Sequence, residues 1–484
     1  MKTKQSYTKG QLFGFVLGIV LFILIYWFIP FGTLSQSGVG VLATLALMGS
    51  WWIFESINTG ITGLVPLFLF PLTGALSAGE TASAYGNNTI FMFFGGFAIA
   101  LALEKWNLHN RIALNIIGIV GTSLNRLIIG LLLAATFISM WVSNTATALM
   151  LLPIALAMGS KMTDLILEED PTNESDAQKF RKSSVWAVAF GAIIGGSMTL
   201  IGTPTNISLS AFAGELLGFE IPFAQFMLFE FPLALLQLVV VIFILNNVFY
   251  KYDKKQLEKG KDYIDSEIKK LGKMSYEEKV VSVVFALTVF FWIFRTFLFD
   301  GIQGLSDTVI SIIACVILYI IPDKQGGRIL NNDSVSKMPW AVILMLMGGM
   351  AVAAGFTGTD LASWLGEQLL LFEGASEFTM VAIVTGFSLL VTQIAPNTAT
   401  GTIVIPIAAS IAQTMGYDPF MLMTAAALGA GFAATVPSGT PLMGIIYGQG
   451  DFEMSELIKV GTPFVLASFV GIILVVYFWL PIVF

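Results

Sequence analysis

Between Arg126 and Lys161 the chain runs for 34 residues without a charge. One membrane-spanning helix needs about 20 apolar residues. The stretch is therefore too long for a single crossing and long enough to enter a bilayer and return. Its middle is the polar run Ser143-Asn144-Thr145-Ala146-Thr147. Polar groups that interrupt a helix at membrane depth are tolerated only inside protein or against a water-filled cavity. The pattern then recurs. Pro396-Asn397-Thr398-Ala399-Thr400 lies within the 40 uncharged residues between Glu377 and Asp418. Pro153 and Pro406 follow their Asn by nine residues, and Gly95-Gly96 and Gly348-Gly349 precede it by 49. One shift of 253 residues superimposes all three features, which is an internal repeat. In so apolar a chain it points to a secondary transporter.

Composition sets the class. The 484 residues are 56% apolar and 11% charged, where a soluble domain carries about 25% charged residues. The chain reads as an all-α polytopic membrane protein. Cys315 stands alone, which excludes an internal disulfide framework and suits a small packing residue. No cleavable signal is evident, because the apolar run after Gly10 is long enough to span.

Apolar segments fall near 11–30, 38–54, 57–72 and 87–104, then a polar-flanked piece near 107–122, then the central stretch. After it come 183–214, 222–249, 281–299, 305–321, 339–356, 378–417, 419–450 and 460–482. The positive-inside rule assigns their sides. Lys2, Lys4 and Lys9 place the N-terminus in the cytoplasm. Four spans later Lys105, Arg111 and Arg126 are cytoplasmic again, and so are Lys161, Lys179, Arg181 and Lys182. Residues 127–160 must then enter and leave on one side, as a re-entrant hairpin. By the same count 378–417 is a hairpin entering from outside, and the C-terminus is extracellular. Of 24 basic residues, 23 become cytoplasmic, Arg295 being the exception. The expectation is 11 transmembrane helices plus two opposed hairpins in inverted repeats, in the cell membrane. Four units follow: 1–125 (helices 1–4 and an interfacial arm), 126–249 (first hairpin, broken helix 5, helix 6), 250–377 (cytoplasmic linker, helices 7–9 and an arm) and 378–484 (second hairpin, broken helix 10, helix 11). The linker 250–279, with nine lysines, reads as solvated. The pieces 107–122 and 358–373 read as interfacial helices.

A second pair of motifs completes a candidate site. Gly202-Thr203-Pro204-Thr205-Asn206 and Gly439-Thr440-Pro441 sit mid-span, where Gly and Pro break helices and free backbone groups. Two hairpin tips and two breaks can converge near the midplane. Helix N-termini carry partial positive charge and free N–H donors, Thr145 and Thr398 can donate hydroxyl bonds, and Asn144 and Asn397 can donate and accept. No Lys or Arg lies near the breaks. A carboxylate would be held by dipoles and neutral donors, and a co-bound cation would offset the cost of desolvating it. Ser139 and Ser143, spaced i and i+4, lie on one helix face beside Asn144. With a carbonyl at Gly202 they form an oxygen-rich site for a hard cation.

Each residue also has a plainer reading. Intramembrane Asn and Thr are usually interhelical glue, but the shared shift and opposed entry favour a site for Asn144 and Asn397. Ser139 and Thr392 stand even between site and self-bonded helix residue. The Gly-Gly pairs and Met345, Met347 and Met350 read as packing, His109 as solvated or packing, and Trp51-Trp52 as an interface anchor. An intramembrane metalloprotease needs two histidines at i, i+4, and His109 is the single one. No Gly-x-Ser-x-Gly nucleophile turn occurs either, so an enzyme is disfavoured. A channel favours a continuous ringed pore, whereas opposed hairpins favour alternating access.

At these motifs the chain resembles the divalent anion/sodium symporter family, the bacterial relatives of sodium-dependent di- and tricarboxylate transporters. The resemblance covers almost the whole chain. It implies an elevator-type homodimer carrying C4 or C5 dicarboxylates (succinate, malate, fumarate, 2-oxoglutarate), or citrate or inorganic anions on the same fold. It assigns the substrate to Asn144, Thr145, Thr203, Pro204, Asn397, Thr398, Thr440 and Pro441. It assigns one sodium site to Ser139, Ser143, Asn144 and Gly202, and another to Thr392, Asn397 and Gly439. Pro396 departs from the family's Ser, losing a hydroxyl and a backbone donor. That departure puts the second sodium site in doubt and tips the expectation from sodium symport towards dicarboxylate exchange.

Overall fold

The protein is described by a computed structural model covering residues 7–251, 258–299, 301–368 and 374–484. Lys2, Lys4, residues 252–257 of the linker and the end of the second arm at 369–373 lie outside the described residues. Among the described residues the secondary structure is helical, apart from one isolated bridge between Pro322 and Arg328. Nine of these helices are long and apolar enough to cross a membrane, among them Lys9–Phe28, Ala78–Lys105, Phe223–Phe249, Trp340–Gly358 and Met454–Val483.

Both long uncharged stretches fold as pairs of helices that pack on each other. The first hairpin is Leu124–Ser139 followed by Asn144–Glu169; the second is Glu377–Ile394 followed by Asn397–Met415. Each lies along the first half of a broken helix, Glu174–Ser197 or Pro419–Gly431. Small residues let the backbones meet. A Cβ on Gly191 would come within 2.5 Å of the Leu132 carbonyl oxygen, and one on Gly429 within 2.7 Å of the Ser388 Cβ. Beyond each break the chain changes partner. The second half Pro204–Leu217 packs on the second hairpin, and Pro441–Gly448 packs on the outgoing arm of the first.

The remaining helices frame this unit, and the 253-residue shift is visible in them. Gly95, in helix Asn88–Lys105, meets the backbone of Ser311 in helix Asp307–Ile320; its equivalent Gly348 meets the backbone of Gly63. The second glycine of each pair faces the other way. Gly96 abuts the Ile201 side chain at the first break, and Gly349 abuts Thr402 of the second hairpin. The Gly-Gly pairs are packing contacts, as expected, and they touch both parts at once. Met345 and Met350 are buried beside them.

The arms are helices Leu108–Val120 and Leu361–Gln368. Arg111 and Trp364, equivalent under the same shift, tie them down. Arg111 Nε donates to Glu278 Oε1 at 2.9 Å and Nη2 to the Leu271 carbonyl at 3.1 Å. Trp364 Nε1 donates to the Phe31 carbonyl at 3.0 Å. Asp360, just before the second arm, accepts the Ser35 N–H at 2.9 Å. His109 is buried, with Nδ1 3.1 Å from the Leu103 carbonyl oxygen, so it packs and is not solvated.

Three expectations need correction. The linker is not simply solvated: Glu258–Lys270 is a helix with Ile264 buried and Ile268 close to Gly118 of the first arm, because its few apolar residues share one face. Of Trp51-Trp52, the second residue is not an interface anchor. Trp52 is fully buried and donates to the Thr59 carbonyl, while Trp51 stacks on Phe15. Segment 57–72 is interrupted between Thr59–Thr62 and Pro66–Thr73, with a further proline, Pro71, inside the latter. Arg295, the one basic residue left inside a span, lies in the last turn of Tyr276–Leu298 and bonds Asp307 Oδ1 at 2.7 Å, which satisfies its charge at the helix end.

Candidate functional site

Four helices begin at the residues singled out in the sequence: Asn144, Pro204, Asn397 and Pro441. Each therefore offers the unsatisfied N–H groups of a first turn and the positive end of a helix dipole. The crossed packing of the second halves brings the four starts into one region. Thr205 is the stitch: its side chain lies against Gly401 of the second hairpin and Gly431 of the second broken helix. Asn144, Thr145, Asn397 and Thr398 are half-buried, whereas Thr203 is buried. Among the described residues the Thr145 and Thr398 hydroxyls have no hydrogen-bond partner, which leaves them for a ligand. Thr203 and Thr440 differ. The Thr440 hydroxyl caps its helix by accepting the Leu442 N–H at 3.1 Å, while Thr203 Oγ1 stands 3.5 Å from Thr205 Oγ1. Pro204 is half-buried and Pro441 exposed.

Behind each tip lies a cluster of oxygens. In the first, the buried Ser139 hydroxyl is 2.7 Å from the Ala192 carbonyl and 3.2 Å from Asn144 Oδ1. In the second, the buried Thr392 hydroxyl is 2.7 Å from the Ala430 carbonyl and 2.8 Å from Asn397 Oδ1. Ser139 and Thr392 thus bond out of their own helices, which favours the site over the self-bonded alternative. Gly202 and Gly439 close the clusters. A Cβ on either would come within 2.8 Å of the Ser139 or Thr392 carbonyl oxygen, so only glycine allows the break to approach the hairpin. Neutral hydroxyl, amide and carbonyl oxygens suit a hard monovalent cation. Among the described residues no group of three His, Cys, Asp or Glu side chains gathers to hold a metal ion.

Ser143 is a correction. The helix ends at Ser139, so Ser139 and Ser143 do not share a helix face. Ser143 is the N-cap of Asn144–Glu169, its hydroxyl 3.4 Å from the Ala146 N–H. Sequence reasoning also missed the supports of the two breaks. Asn206 Nδ2 donates to the Ser197 and Thr199 carbonyls at 2.8 and 2.9 Å. Gln393 Oε1 accepts the Thr435 hydroxyl at 2.7 Å and the Ala434 and Thr435 N–H groups at 3.2 Å. Asn206 was legible as the last residue of the Gly-Thr-Pro-Thr-Asn run. Gln393 carried a signal too, as one of three carboxamides, with Asn397 and Gln413, inside 40 uncharged residues.

Two helical repeats related by one shift, helix starts gathered at one locus and two neutral oxygen cages fit a membrane transporter rather than an enzyme. The comparisons give the family. The sodium:sulfate symporter transmembrane region matches residues 11–484, and the chain belongs to that family. The sodium-dependent dicarboxylate transporter SdcS of Staphylococcus saprophyticus is 40% identical over 99% of this chain and 93% of its own. SdcS of Staphylococcus aureus is 40% identical over 100% of this chain and 94% of its own. Among solved structures, the Alcanivorax borkumensis YdaH transporter is similar at a TM-score of 0.55 and 12% identity, covering 93% of this chain and 99% of that one. Neisseria gonorrhoeae MtrF is similar at 0.53 and 13%, covering 98% and 96%. These two similarities concern the fold alone.

Proposed function

We propose that the protein carries small dicarboxylates across the cell membrane together with sodium. The observation that carries this reading is the duplicated pairing of a helix start bearing Asn-Thr with an oxygen cage directly behind it. In each half one Asn belongs to both: Asn144 Oδ1 to the Ser139 cage and Asn397 Oδ1 to the Thr392 cage. A cation on one side of the amide and a carboxylate on the other would each lower the cost of burying its neighbour. The relatives at 40% identity are sodium-dependent dicarboxylate transporters by name. The expectation of exchange rested on Pro396. The Thr392 cage is built without that side chain, so sodium symport is the reading favoured here.

The transport step proposed is an elevator motion of 126–249 and 378–484 against 1–125 and 250–377, in a homodimer. What supports the division is the Gly-Gly pairs, whose first glycines pack within the frame and whose second glycines face the moving part. Uptake into proteoliposomes tests the function. Accumulation of labelled succinate into empty vesicles, driven by an inward sodium gradient, is expected. Uptake only into vesicles preloaded with dicarboxylate, indifferent to sodium, would replace symport by exchange. Crosslinking of the purified protein measures the dimer.

A further inference from the structure

One carboxylate inside the membrane unit has no role in this scheme. Glu230 lies on Phe223–Phe243 and is fully buried. Among the described residues neither of its carboxyl oxygens has a hydrogen-bond partner. A buried ion without a partner is among the least favourable arrangements in a protein, and such a group neutralises instead. An intramembrane acid is accordingly a functional candidate by default.

Its surroundings connect it to the first oxygen cage. The helix packs against Glu174–Ser197, Tyr276–Leu298 and Met454–Leu474 with its continuation Val475–Val483. The charged groups of these helices sit towards their ends and are engaged there: Lys182 with Glu456 at 2.6 Å, Arg181 with Asp451 at 2.8 Å, Lys179 with Asp176 at 3.3 Å, and Arg295 with Asp307 at 2.7 Å. Glu174, Glu277, Glu278, Lys279 and Lys459 lie at helix starts, and Tyr477 packs on Phe378. Among the described residues no charged side chain pairs with Glu230; the polar side chain beside it is Ser197, whose hydroxyl donates instead to the Ile194 carbonyl. Ser197 ends the segment that carries the cage on its other side. The Ser139 hydroxyl bonds the Ala192 carbonyl, and the Asn144 side chain lies against Gly196. A single helical wall, Ala192–Ser197, separates cage from carboxyl. Two turns further along, Gln237 presents an unpartnered Oε1 while its Nε2 donates to Ser468 at 2.8 Å. This continues the polar face of the helix towards its cytoplasmic end.

We propose that Glu230 is a proton-binding site linked to cation binding at the first cage across the wall Ala192–Ser197. With its proton, Glu230 is neutral and the cage binds a cation weakly. Without it, a negative charge stands one wall away and the cage binds tightly. Linkage is reciprocal, so cation binding expels the proton, O–H bond breaking to leave the carboxylate while the proton passes to water. The proposal rests on the sodium reading above, and two readouts separate their failures.

The first readout is the infrared carbonyl stretch of a protonated carboxyl, in sodium-free buffer, for wild type and Glu230→Gln. A band present in wild type, weakened by sodium and missing in the variant, is expected. The second is the sodium concentration giving half-maximal succinate uptake between pH 5.5 and 8.5. Wild type should need several-fold more sodium at the acid end, and Glu230→Gln should need that high concentration at every pH. Size-exclusion elution and uptake at saturating sodium show that the variant is folded. A band that survives in Glu230→Gln overturns the proton site, and an unchanged pH dependence in the variant overturns the linkage. Uptake that ignores sodium at every pH overturns symport, and the infrared band then still decides whether Glu230 holds a proton.

Discussion

The two halves of the site use the same cage and different scaffolding. In both, a hydroxyl one turn before the tip, Ser139 or Thr392, bonds an Asn carbonyl and a carbonyl of the broken helix. In both, a glycine lets the break close on that hydroxyl's own backbone. The supports differ. The first tip is capped by Ser143 and its break is held by Asn206; the second begins at Pro396 without a side-chain cap and its break is held by Gln393. The lesson is that duplication preserved the donor geometry, which the proposed ligand would require. The means of holding it diverged, because any carboxamide able to satisfy the freed backbone groups serves.

The strongest test of that equivalence is to remove each Asn. Asn144→Ala and Asn397→Ala should each raise half-saturating succinate by at least about tenfold, since a hydrogen bond to a charged group is worth roughly 1.5–3 kcal/mol. A normal rate for either in the liposome assay would dissolve the shared site. Next come Gly202→Ala and Gly439→Ala. Forcing a Cβ against backbone costs typically about 1–3 kcal/mol, so both should melt earlier and transport poorly. A silent Gly439→Ala would mean that the second cage is looser than the first. Asn206→Ala and Gln393→Ala remove one support each, leaving buried backbone groups unpaired at a cost of about 1–3 kcal/mol. The expected result is two separate drops in melting temperature that add in the double variant.

Pro396→Ser restores the missing cap. A cap of this kind is worth about 0.5–2 kcal/mol, so the variant should be slightly more stable, with sodium dependence unchanged if the cage never needed that hydroxyl. The smallest effect belongs to the second arm. Partial burial opposes ionisation of Asp360, but the Ser35 hydroxyl and N–H outweigh it and hold the carboxyl below its ordinary range. A depressed acid stabilises the fold above its ordinary unfolded value, about 3.9, and that contribution disappears as pH falls through the lower folded value. Asp360→Asn should therefore lower the melting temperature slightly at neutral pH and not in strong acid.

Much of this was legible before any coordinates. The 34 uncharged residues with a polar centre demanded a hairpin, and the 253-residue shift carried the second copy, the Gly-Gly pairs and the prolines with it. The breaks at Gly202-Thr203-Pro204 and Gly439-Thr440-Pro441 follow from glycine and proline chemistry, and the polar runs mark Asn144 and Asn397 as hairpin tips. What escaped was non-local. Nothing local says that Trp52 is buried, because its neighbours come from Thr59 and beyond. Ser143 looked like a helix-face partner of Ser139, since i and i+4 spacing is silent about a helix ending between them. Glu230 was visible as an acid inside an apolar span, yet its isolation is a property of the three helices around it.

The exchange of partners at the breaks has a consequence for biogenesis. Pro204–Leu217 rests on a hairpin encoded far downstream, and Pro441–Gly448 on one already made. While the ribosome is still working through the linker, the earlier half-helix can rest on Asn88–Lys105 but lacks its larger partners in the second hairpin and in Pro419–Gly431. Assembly of this unit must wait for the last quarter of the chain. A premature stop there would release a protein whose first hairpin is complete and whose first break is orphaned, a ready substrate for membrane quality control.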